Sequence, residues 1–331
     1  MNACQIEINM LPANEGDCLH IRFQSGEEWH NIVIDSGPAA CASQFRALLD
    51  RIRKQQESLD LLCFSHIDDD HIKGAELTFS EPSFISSHIE RIWINLPDSI
   101  TSSTSGNMLS AYQNITVESA YKVFSYITAR SIPCTTKVIA GDQMMIGDIL
   151  ITAVLPTPQR LEAYYQALEK DLEKLRQSKP FLFIGGTTSD TSPYNGSSIS
   201  LMINADSGQL LFAGDAFAPD LAAAAQRYVG DKGFLLVKLP HHGSDRNINE
   251  KLLAALECRH FMISTQSTAY RPAQKTINLL ADYGKACDDV TLYGNYVWPF
   301  IQKPAQGIEI LTLPGRHSPI NIGEVALFTE G

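Results

Sequence analysis

Short runs of alternating apolar and polar residues in the N-terminal part of the chain predict β-strands. The first run, residues 5–10, reads Gln-Ile-Glu-Ile-Asn-Met, and strand-like runs follow at 18–23 and 31–34. A helical pattern at about 42–56 then precedes Leu61-Leu62-Cys63-Phe64, which is apolar throughout and therefore predicts a fully buried strand. The predicted order is β, β, β, α, β.

A second group of strand-like runs occupies the C-terminal part. These runs lie at 199–203, 210–213, 235–237 and 261–263, and helical patterns at 219–228, 248–257 and 272–283 separate most of them. Two groups in which strands alternate with helices predict a layered α/β (α+β) architecture with helices outside the sheets. We therefore expect a four-layer αββα sandwich of two mixed sheets flanked by helices.

The two groups are joined by a segment of different character. Residues 159–178 place apolar side chains at helical spacing and predict a long amphipathic helix, which either packs its apolar stripe on the body of the protein or binds a partner. A polar stretch at 185–192, rich in Gly, Ser and Thr, predicts a loop. We interpret about 157–195 as a helical and loop insertion in a single domain that spans 1–331.

Composition narrows the choice of partners and compartment. A formal net charge of −11 gives no global positive field to gather polyanions, so any phosphate recognition must be local. The seven cysteines are odd in number and form no CxxC pair, which favours reduced thiols. No secretion signal is visible and no apolar run approaches the roughly 20 residues of a membrane span, so we expect a cytoplasmic protein without a membrane segment.

The candidate chemistry is concentrated in Ser65-His66-Ile67-Asp68-Asp69-Asp70-His71, between the buried strand and a helix predicted to start near Ile72. Three carboxyl groups and two imidazoles on one turn repel one another unless a cation compensates them. Such mixed ligands suit Zn²⁺ or Mn²⁺, and the carboxylates shift the balance toward the harder ion. The alternative is an acidic helix N-terminus, where Asp is favourable without a metal.

This segment resembles the HxHxDH motif of the metallo-β-lactamase superfamily, with Asp68 in place of the second histidine, a form found in the hydrolase region of the competence protein ComEC family. Further resemblances follow in order. Val33-Ile34-Asp35-Ser36-Gly37 resembles the first motif, Leu211-Phe212-Ala213-Gly214-Asp215 the Gly-Asp motif, and Lys238-Leu239-Pro240-His241-His242-Gly243-Ser244 the PHHGS motif. Glu15-Gly16-Asp17-Cys18 and Asn195-Gly196-Ser197-Ser198 also resemble ComEC-type signatures, so the resemblance covers about residues 5–300.

The resemblance implies a ligand set for two divalent metal ions. His66 and Asp68 would hold one ion, Asp70, His71 and His241 the other, and Asp215 would bridge them. His242 is the alternative to His241, and otherwise supports the site or faces the substrate. Asp35 would orient the ligand loop without binding metal.

Two departures from the superfamily pattern leave alternatives open. The third-motif histidine is missing, and its nearest substitutes are Asn195, Ser197 and Ser198; a neutral ligand there would weaken the first metal site and favour Mn²⁺. Arg271 stands where ComEC-type sequences tend to carry a His-Pro pair. It either contacts a substrate phosphate or is a surface or helix-start residue.

The resemblance also implies a reaction. Two ions sharing Asp215 would generate hydroxide near neutral pH, with Asp70 accepting a proton and His242 as a further catalytic candidate. We expect a metal-dependent phosphodiesterase or nuclease that acts on DNA. The alternatives are a hydrolase of small phosphodiesters or esters, and a catalytically weak subunit that joins protein partners in a bacterial defence complex.

Overall fold

The structure, a computed structural model, describes residues 6–102, 115–176, 190–206, 208–266, 270–314 and 318–329, with backbone alone at 115–116 and 174–176. In these ranges the strands are β1 (Ile6–Met10), β2 (Leu19–Ser25), β3 (Glu28–Ile34), β4 (Leu61–Cys63), β5 (Ile92–Trp93), β6 (Cys134–Thr135), β7 (Gln143–Ile146), β8 (Ile149–Leu155), β9 (Ser200–Ala205), β10 (Gly208–Phe212), β11 (Phe234–Lys238), β12 (His260–Ile263), β13 (Val290–Gly294), β14 (Ile308–Thr312), β15 (Ile320–Ile322) and β16 (Val325–Phe328). The helices are α1 (Ala42–Lys54), α2 (Asp69–Ser80), α3 (Asp98–Thr101), α4 (Ile115–Ala129), α5 (Pro158–Arg176), α6 (Pro193–Gly196), α7 (Ala218–Tyr228), α8 (Glu250–Leu256) and α9 (Gln274–Ala286).

The described strands form two mixed sheets of eight strands each. The first has the order β15-β16-β1-β2-β3-β4-β5-β6 and the second β14-β13-β12-β11-β10-β9-β8-β7. Strands β3 to β6 run parallel to one another, and so do β10 to β14. Because parallel strands end at the same edge of a sheet, each sheet has one edge from which several loops emerge together.

Alternation of side chains builds the layers. In β3, Ile32 and Ile34 face the other sheet while Val33 packs with α1 and α2, since successive side chains of a strand point to opposite faces. The second sheet packs its outer face on α7, α8 and α9. The predicted four-layer sandwich of two mixed sheets flanked by helices is therefore confirmed.

Element boundaries differ from the sequence prediction in one place that affects the candidate site. Helix α2 begins at Asp69, three residues before the predicted start, with the extended Asp68 as its N-cap residue. Asp69 and Asp70 thereby occupy the first turn, where carboxylates are favourable with the helix dipole. The Asp68 side chain makes no capping hydrogen bond.

The connecting segment is described in part. Helix α5 agrees with the amphipathic pattern and buries Leu161, Tyr164, Leu168 and Leu172 against the first sheet's helical layer. Most of the predicted loop at 185–192, up to residue 189, lies outside the described residues. Among the helices that the structure describes, none is both long and apolar enough to cross a membrane.

Candidate metal centre

The candidate site lies where the parallel strands of the two sheets end. Asp35 follows β3, Ser65 and His66 follow β4, and Asp215 and His241 follow β10 and β11. The main chain joins the two sheets at this point, since Ile199 N donates to Ser65 O (2.8 Å), and within the second sheet His241 N donates to Gly214 O (3.0 Å). Residues far apart in the sequence are thus brought to one edge.

Asp35 is fully buried and holds the ligand loop in place. Its Oδ1 accepts from Ser65 N and its Oδ2 from Ser65 Oγ, both at 2.7 Å. Oδ2 also lies 2.8 Å from His71 Nδ1. Ser65 Oγ in turn lies 3.0 Å from His66 Nδ1 and, having donated its own hydrogen to Asp35, accepts there. One carboxylate therefore fixes two imidazoles through their Nδ1 atoms and leaves each Nε2 free.

One group of side chains, which we call the Asp70 half-site, consists of Asp70, His71, His242 and the Oδ1 atom of Asp215. His71 Nε2 lies 3.3 Å from His242 Nε2, 3.6 Å from Asp215 Oδ1 and 3.8 Å from Asp70 Oδ2. His242 Nε2 lies 3.6 Å from Asp215 Oδ1 and 3.7 Å from Asp70 Oδ2. Four potential ligands therefore converge on one point.

A second group, the Asp68 half-site, consists of His66, Asp68, His241 and the Oδ2 atom of Asp215. His66 Nε2 lies 3.6 Å from Asp68 Oδ2 and 3.9 Å from Asp215 Oδ2. His241 Nε2 lies 3.5 Å from the same Asp215 oxygen. Asp215 therefore presents one carboxylate oxygen to each half-site.

The main chain after β11 separates the two neighbouring histidines. His241 and His242 have φ of 50° and 53°, values that residues with a side chain adopt rarely and that concentrate at functional sites. This turn sets the two rings 73° apart, with centroids separated by 6.1 Å, so that each faces a different oxygen of Asp215. The side chain of His242 is wholly buried and that of His241 is 12% exposed.

Asp215 is seated by its neighbours. Ser198 Oγ accepts from Asp215 N (3.1 Å). A side chain at Gly214, which has φ of 57°, would meet Ser65 Cβ at 3.0 Å and Ser198 Cβ at 3.1 Å, so the Gly-Asp sequence is required by space as well as by backbone conformation. The predicted supporting residue Ser198 thus touches the main chain of Asp215.

Asp190 supports His241, and sequence reasoning missed it. Its Oδ2 lies 3.1 Å from His241 Nδ1 and accepts from the side-chain amides of Asn195 (2.7 Å) and Asn247 (2.9 Å). Asn247 Oδ1 lies 2.8 Å from the same His241 nitrogen. Burial tends to raise the pKa of Asp190, but these hydrogen bonds lower it to about 2, so the carboxylate is charged.

The electrostatics of the cluster favour positive charge. Burial acts to lower the pKa of His71, yet Asp70, Asp215 and Asp35 raise it well above its ordinary value. Burial likewise opposes ionisation of Asp215, but the four histidines hold its pKa well below the usual range. Burial and Arg271 act to lower the pKa of His241, but Asp215 and Asp190 outweigh them, so the pKa is raised above its ordinary value. The carboxylates thus create a field that a cation would satisfy.

The donor atoms of this cluster fit a divalent cation. The Nδ1 of His242 lies 2.9 Å from Ser264 O, so all four imidazoles have Nδ1 engaged and Nε2 directed inward, the arrangement that supporting hydrogen bonds give to metal-binding histidines. His66 Nε2 and Asp215 Oδ1 are buried without a hydrogen-bond partner among the described residues. The 3.3–3.8 Å distances in the Asp70 half-site are near the roughly 3.3 Å edge of a tetrahedral zinc site.

The structure brings together every side chain that the sequence singled out as a metal ligand, but it distributes the histidines differently. His242 rather than His241 faces Asp70 and His71, because the left-handed turn points the His242 ring to Asp215 Oδ1. His241 lies beside His66 and Asp68, where Asn195 or a serine was expected. Asn195 instead donates to Asp190, and its Oδ1 is buried without a hydrogen-bond partner among the described residues.

Comparison with known proteins identifies the family of the fold. The sequence model of the metallo-β-lactamase superfamily matches residues 27–264, well over half of the chain. Among curated proteins, none matches the chain.

Solved structures resemble the chain at low identity. YhfI, a metallo-β-lactamase fold protein from Bacillus subtilis, is 10% identical with a TM-score of 0.39 over 93% of this chain and 95% of that one. A diphosphatase of the PhnP family is 14% identical, with a TM-score of 0.39 over 90% and 81% of the two chains. A Cronobacter sakazakii metallo-β-lactamase with a HARLDQ motif is 15% identical, with a TM-score of 0.31; the match covers 62% of this chain and 61% of that one, less than two thirds of its length.

Proposed function

This chain belongs to the metallo-β-lactamase superfamily, and on that premise we propose that it is a metal-dependent hydrolase of phosphodiester bonds, with DNA as its first candidate substrate. The observation that carries the proposal is the convergence of four imidazole Nε2 atoms on the two oxygens of Asp215. His71 Nε2 and His242 Nε2 lie 3.3 Å apart, and His66 Nε2 is buried without a hydrogen-bond partner among the described residues, so these nitrogens face one another and the Asp215 carboxylate. Asp68 and Asp70 complete two ligand sets.

The residues of the two half-sites have distinct tasks in this proposal. A pair of divalent ions, when bound, supplies acidified water and polarises a phosphoryl oxygen. Asp215 holds both halves in register, and Asp35 fixes the tautomers of His66 and His71 through their Nδ1 atoms. The Asp70 side chain is 33% exposed, so its carboxylate is open to solvent and suited to accept a proton from attacking water.

Three features support a phosphodiester as the substrate class. The carboxylates at Asp68 and Asp70 favour oxygen-preferring ions such as Mn²⁺. The HxDxDH and PHHGS sequences resemble the hydrolase region of the ComEC family, which is directed at DNA. The positive charge of Arg271 acts to lower the pKa of His241, which makes Arg271 our candidate for neutralising a phosphate oxygen.

A small phosphodiester is the second candidate, and the basic residues favour it. Lys73, which would otherwise be placed to meet a nucleic-acid backbone, lies 2.5 Å from Glu76 and donates to Ser119 (3.0 Å). The formal net charge of −11 adds no long-range attraction for a polyanion. These features suit a substrate that carries one or two phosphates, or a single strand end, better than a long duplex.

The test compares these substrates directly. Metal-stripped protein is incubated with linear DNA, circular DNA and bis(p-nitrophenyl) phosphate, each with Mn²⁺, Zn²⁺ or neither. We expect cleavage that requires metal and is lost in Asp70→Ala and His242→Ala proteins, and the circular substrate separates endonuclease from exonuclease action. Cleavage of the small ester alone would select the second candidate. Inactivity of folded, metal-loaded protein toward all three substrates would contradict the proposal and favour a catalytically weak subunit of a larger complex.

A further inference from the structure

A buried ion pair lies directly behind the Asp70 half-site. Lys238, the last residue of β11, donates from Nζ to Asp17 Oδ2, and the two side chains are 1% and 2% exposed. The other oxygen, Asp17 Oδ1, lies 3.5 Å from His242 Nδ1. Since isolated buried charges are costly, an ion pair kept at this depth and in contact with a ligand ring calls for a specific role.

Asp17 lies among four buried side chains that could hold a metal ion, but its contact with His242 differs from those of the other ligands. One of its oxygens comes within 4.8 Å of potential ligand atoms of His71, Asp215 and His242. Its contact with His242, however, is to Nδ1, whereas the Nε2 atom faces Asp70 and Asp215. The carboxylate therefore contacts His242 at Nδ1, the ring nitrogen that does not face Asp70 and Asp215.

The loop that carries Asp17 also approaches the main chain of Asp70 and contacts Ser264, whose carbonyl supports His242. The hypothetical side chain of Gly16 would lie 1.8 Å from Asp70 O, so only glycine allows the loop to approach that main chain. Gly16 O accepts from Ser264 Oγ (2.8 Å), and Ser264 O is the acceptor nearest His242 Nδ1 (2.9 Å). Asn14 O accepts from Gln266 N (2.7 Å). The loop between β1 and β2 thus reaches from the first sheet to the strand ends of the second.

We propose that Asp17 and Lys238 are positioning residues that fix the His242 imidazole for the Asp70 half-site. The inference rests on the proposed metal site and deepens it. The Lys238 ammonium holds the carboxylate in place, and the carboxylate, together with Ser264 O, keeps the hydrogen of His242 on Nδ1. Nε2 then carries the lone pair that faces Asp70, His71 and Asp215. The Asp68 half-site, whose His241 depends on Asp190 and Asn247, does not use this pair.

The test separates positioning from folding by removing both charges together. Asp17→Leu/Lys238→Met replaces the pair by apolar side chains of similar size, a change that preserves stability in many buried ion pairs. Asp17→Asn/Lys238→Met also removes both charges but keeps an oxygen acceptor at residue 17. Both are made in a His66→Ala background, in which only the Asp70 half-site keeps its ligands. The matched control is Arg22→Met/Glu57→Gln, which removes an ion pair elsewhere in the protein. In that pair Arg22 Nη2 lies 2.6 Å from Glu57 Oε1.

The readouts are the Kd for Co²⁺ from calorimetry, the visible absorption of bound Co²⁺, and the thermal unfolding of the metal-free proteins. We expect the Asp17→Leu/Lys238→Met variant to bind Co²⁺ about 10- to 100-fold more weakly than its parent, with an altered absorption spectrum. The Asp17→Asn/Lys238→Met variant should lose less Co²⁺ affinity, and the control should match its parent. An unchanged Kd and spectrum in either folded double variant would overturn the inference. Absence of Co²⁺ binding in the His66→Ala parent and in the unmodified protein would instead overturn the proposed function.

Discussion

The two half-sites share Asp215 but are supported in different ways. Behind the Asp70 half-site, His71 rests on Asp35, and His242 on a main-chain carbonyl and the pair Asp17–Lys238. These supports are almost fully buried and come from the ends of strands or the loop between β1 and β2. His241 of the Asp68 half-site rests on side chains alone, those of Asp190 and Asn247. His66, the other histidine of this half-site, shares the buried Asp35 support through Ser65, so the contrast lies between His242 and His241.

From this difference we infer that the shared carboxylate serves one more rigid half-site and one more adaptable half-site. His241 is 12% exposed, whereas His66, His71 and His242 are fully buried; the carboxylates Asp68 and Asp70 are exposed alike, at 35% and 33%. We therefore expect the Asp70 half-site to bind its ion tightly and the Asp68 half-site to exchange its ion and meet the substrate.

Replacement of Asp215 should cause the largest loss of activity and weaken metal binding in both half-sites. Asp215→Ala removes the ligand oxygen that each half-site uses, so we expect hydrolysis to fall on the order of 10³-fold or more. Calorimetry with Mn²⁺ should show that both binding events are weakened. Asp282→Asn, which changes a 70% exposed carboxylate in α9, is the control and should behave as the unmodified protein. Retention of two tight ions by Asp215→Ala would remove the basis of the comparison.

The neighbouring histidines should differ when each is replaced. His242→Ala empties a fully buried ligand position, and we expect a loss of activity of about 10²- to 10³-fold that added metal does not restore. His241→Ala should bind one ion with unchanged affinity and regain part of its activity at high Mn²⁺. Titration of activity against Mn²⁺ concentration measures the difference. Identical titration curves for the two variants would mean that the histidines serve the same ion.

Asp190→Asn tests the support of the Asp68 half-site at constant shape. The amide cannot supply the charge that Asp190 places 3.1 Å from His241 Nδ1, so we expect the weaker of the two metal affinities to fall by about 10- to 100-fold. The tighter affinity should stay the same. Ser192→Ala, which leaves the main-chain donor to Asp190 Oδ1 intact, is the control. A fall in the tighter affinity would show that the halves are not supported independently.

The smallest effect is expected at Arg271. Its positive charge acts on His241 and it forms no ion pair with another described residue, so Arg271→Ala should raise KM by about 10-fold and change kcat little. Arg271→Lys should recover part of the loss because the charge remains. Steady-state kinetics on bis(p-nitrophenyl) phosphate measure both constants. A fall in kcat with KM unchanged would place Arg271 in the chemical step instead.

Much of the fold was predictable because the strands around the site are apolar and regular. The runs that became β2, β3, β4 and β9 to β12 carry period-two or continuous apolar patterns over several residues. Strands β5 and β6 have only two residues each, too few to show a period. Helix α2 starts at Asp69 rather than near Ile72, because carboxylates are favourable in the first turn of a helix and the acidic residues therefore extend it toward the N-terminus.

The candidate ligands could be recognised in the sequence because they follow strand ends in compact motifs. The sequence did not indicate which ligands belong to the same half-site. Which of His241 and His242 faces Asp70 depends on two successive residues with positive φ, and no sequence pattern specifies that turn. Asp190 lies in a polar segment whose composition gives no sign that it reaches His241. Asn247 is distinguishable only as a polar residue near the PHHGS motif, which would have been a weak signal.

Anomalous diffraction from crystals grown with Mn²⁺ or Zn²⁺ tests the central claim, that Asp215 joins two half-sites in which the neighbouring histidines serve different ions. We predict two peaks roughly 3.5–4 Å apart, one in bonding contact with His242 Nε2 and the other with His241 Nε2. A single peak, or two histidines bound to the same ion, would contradict it.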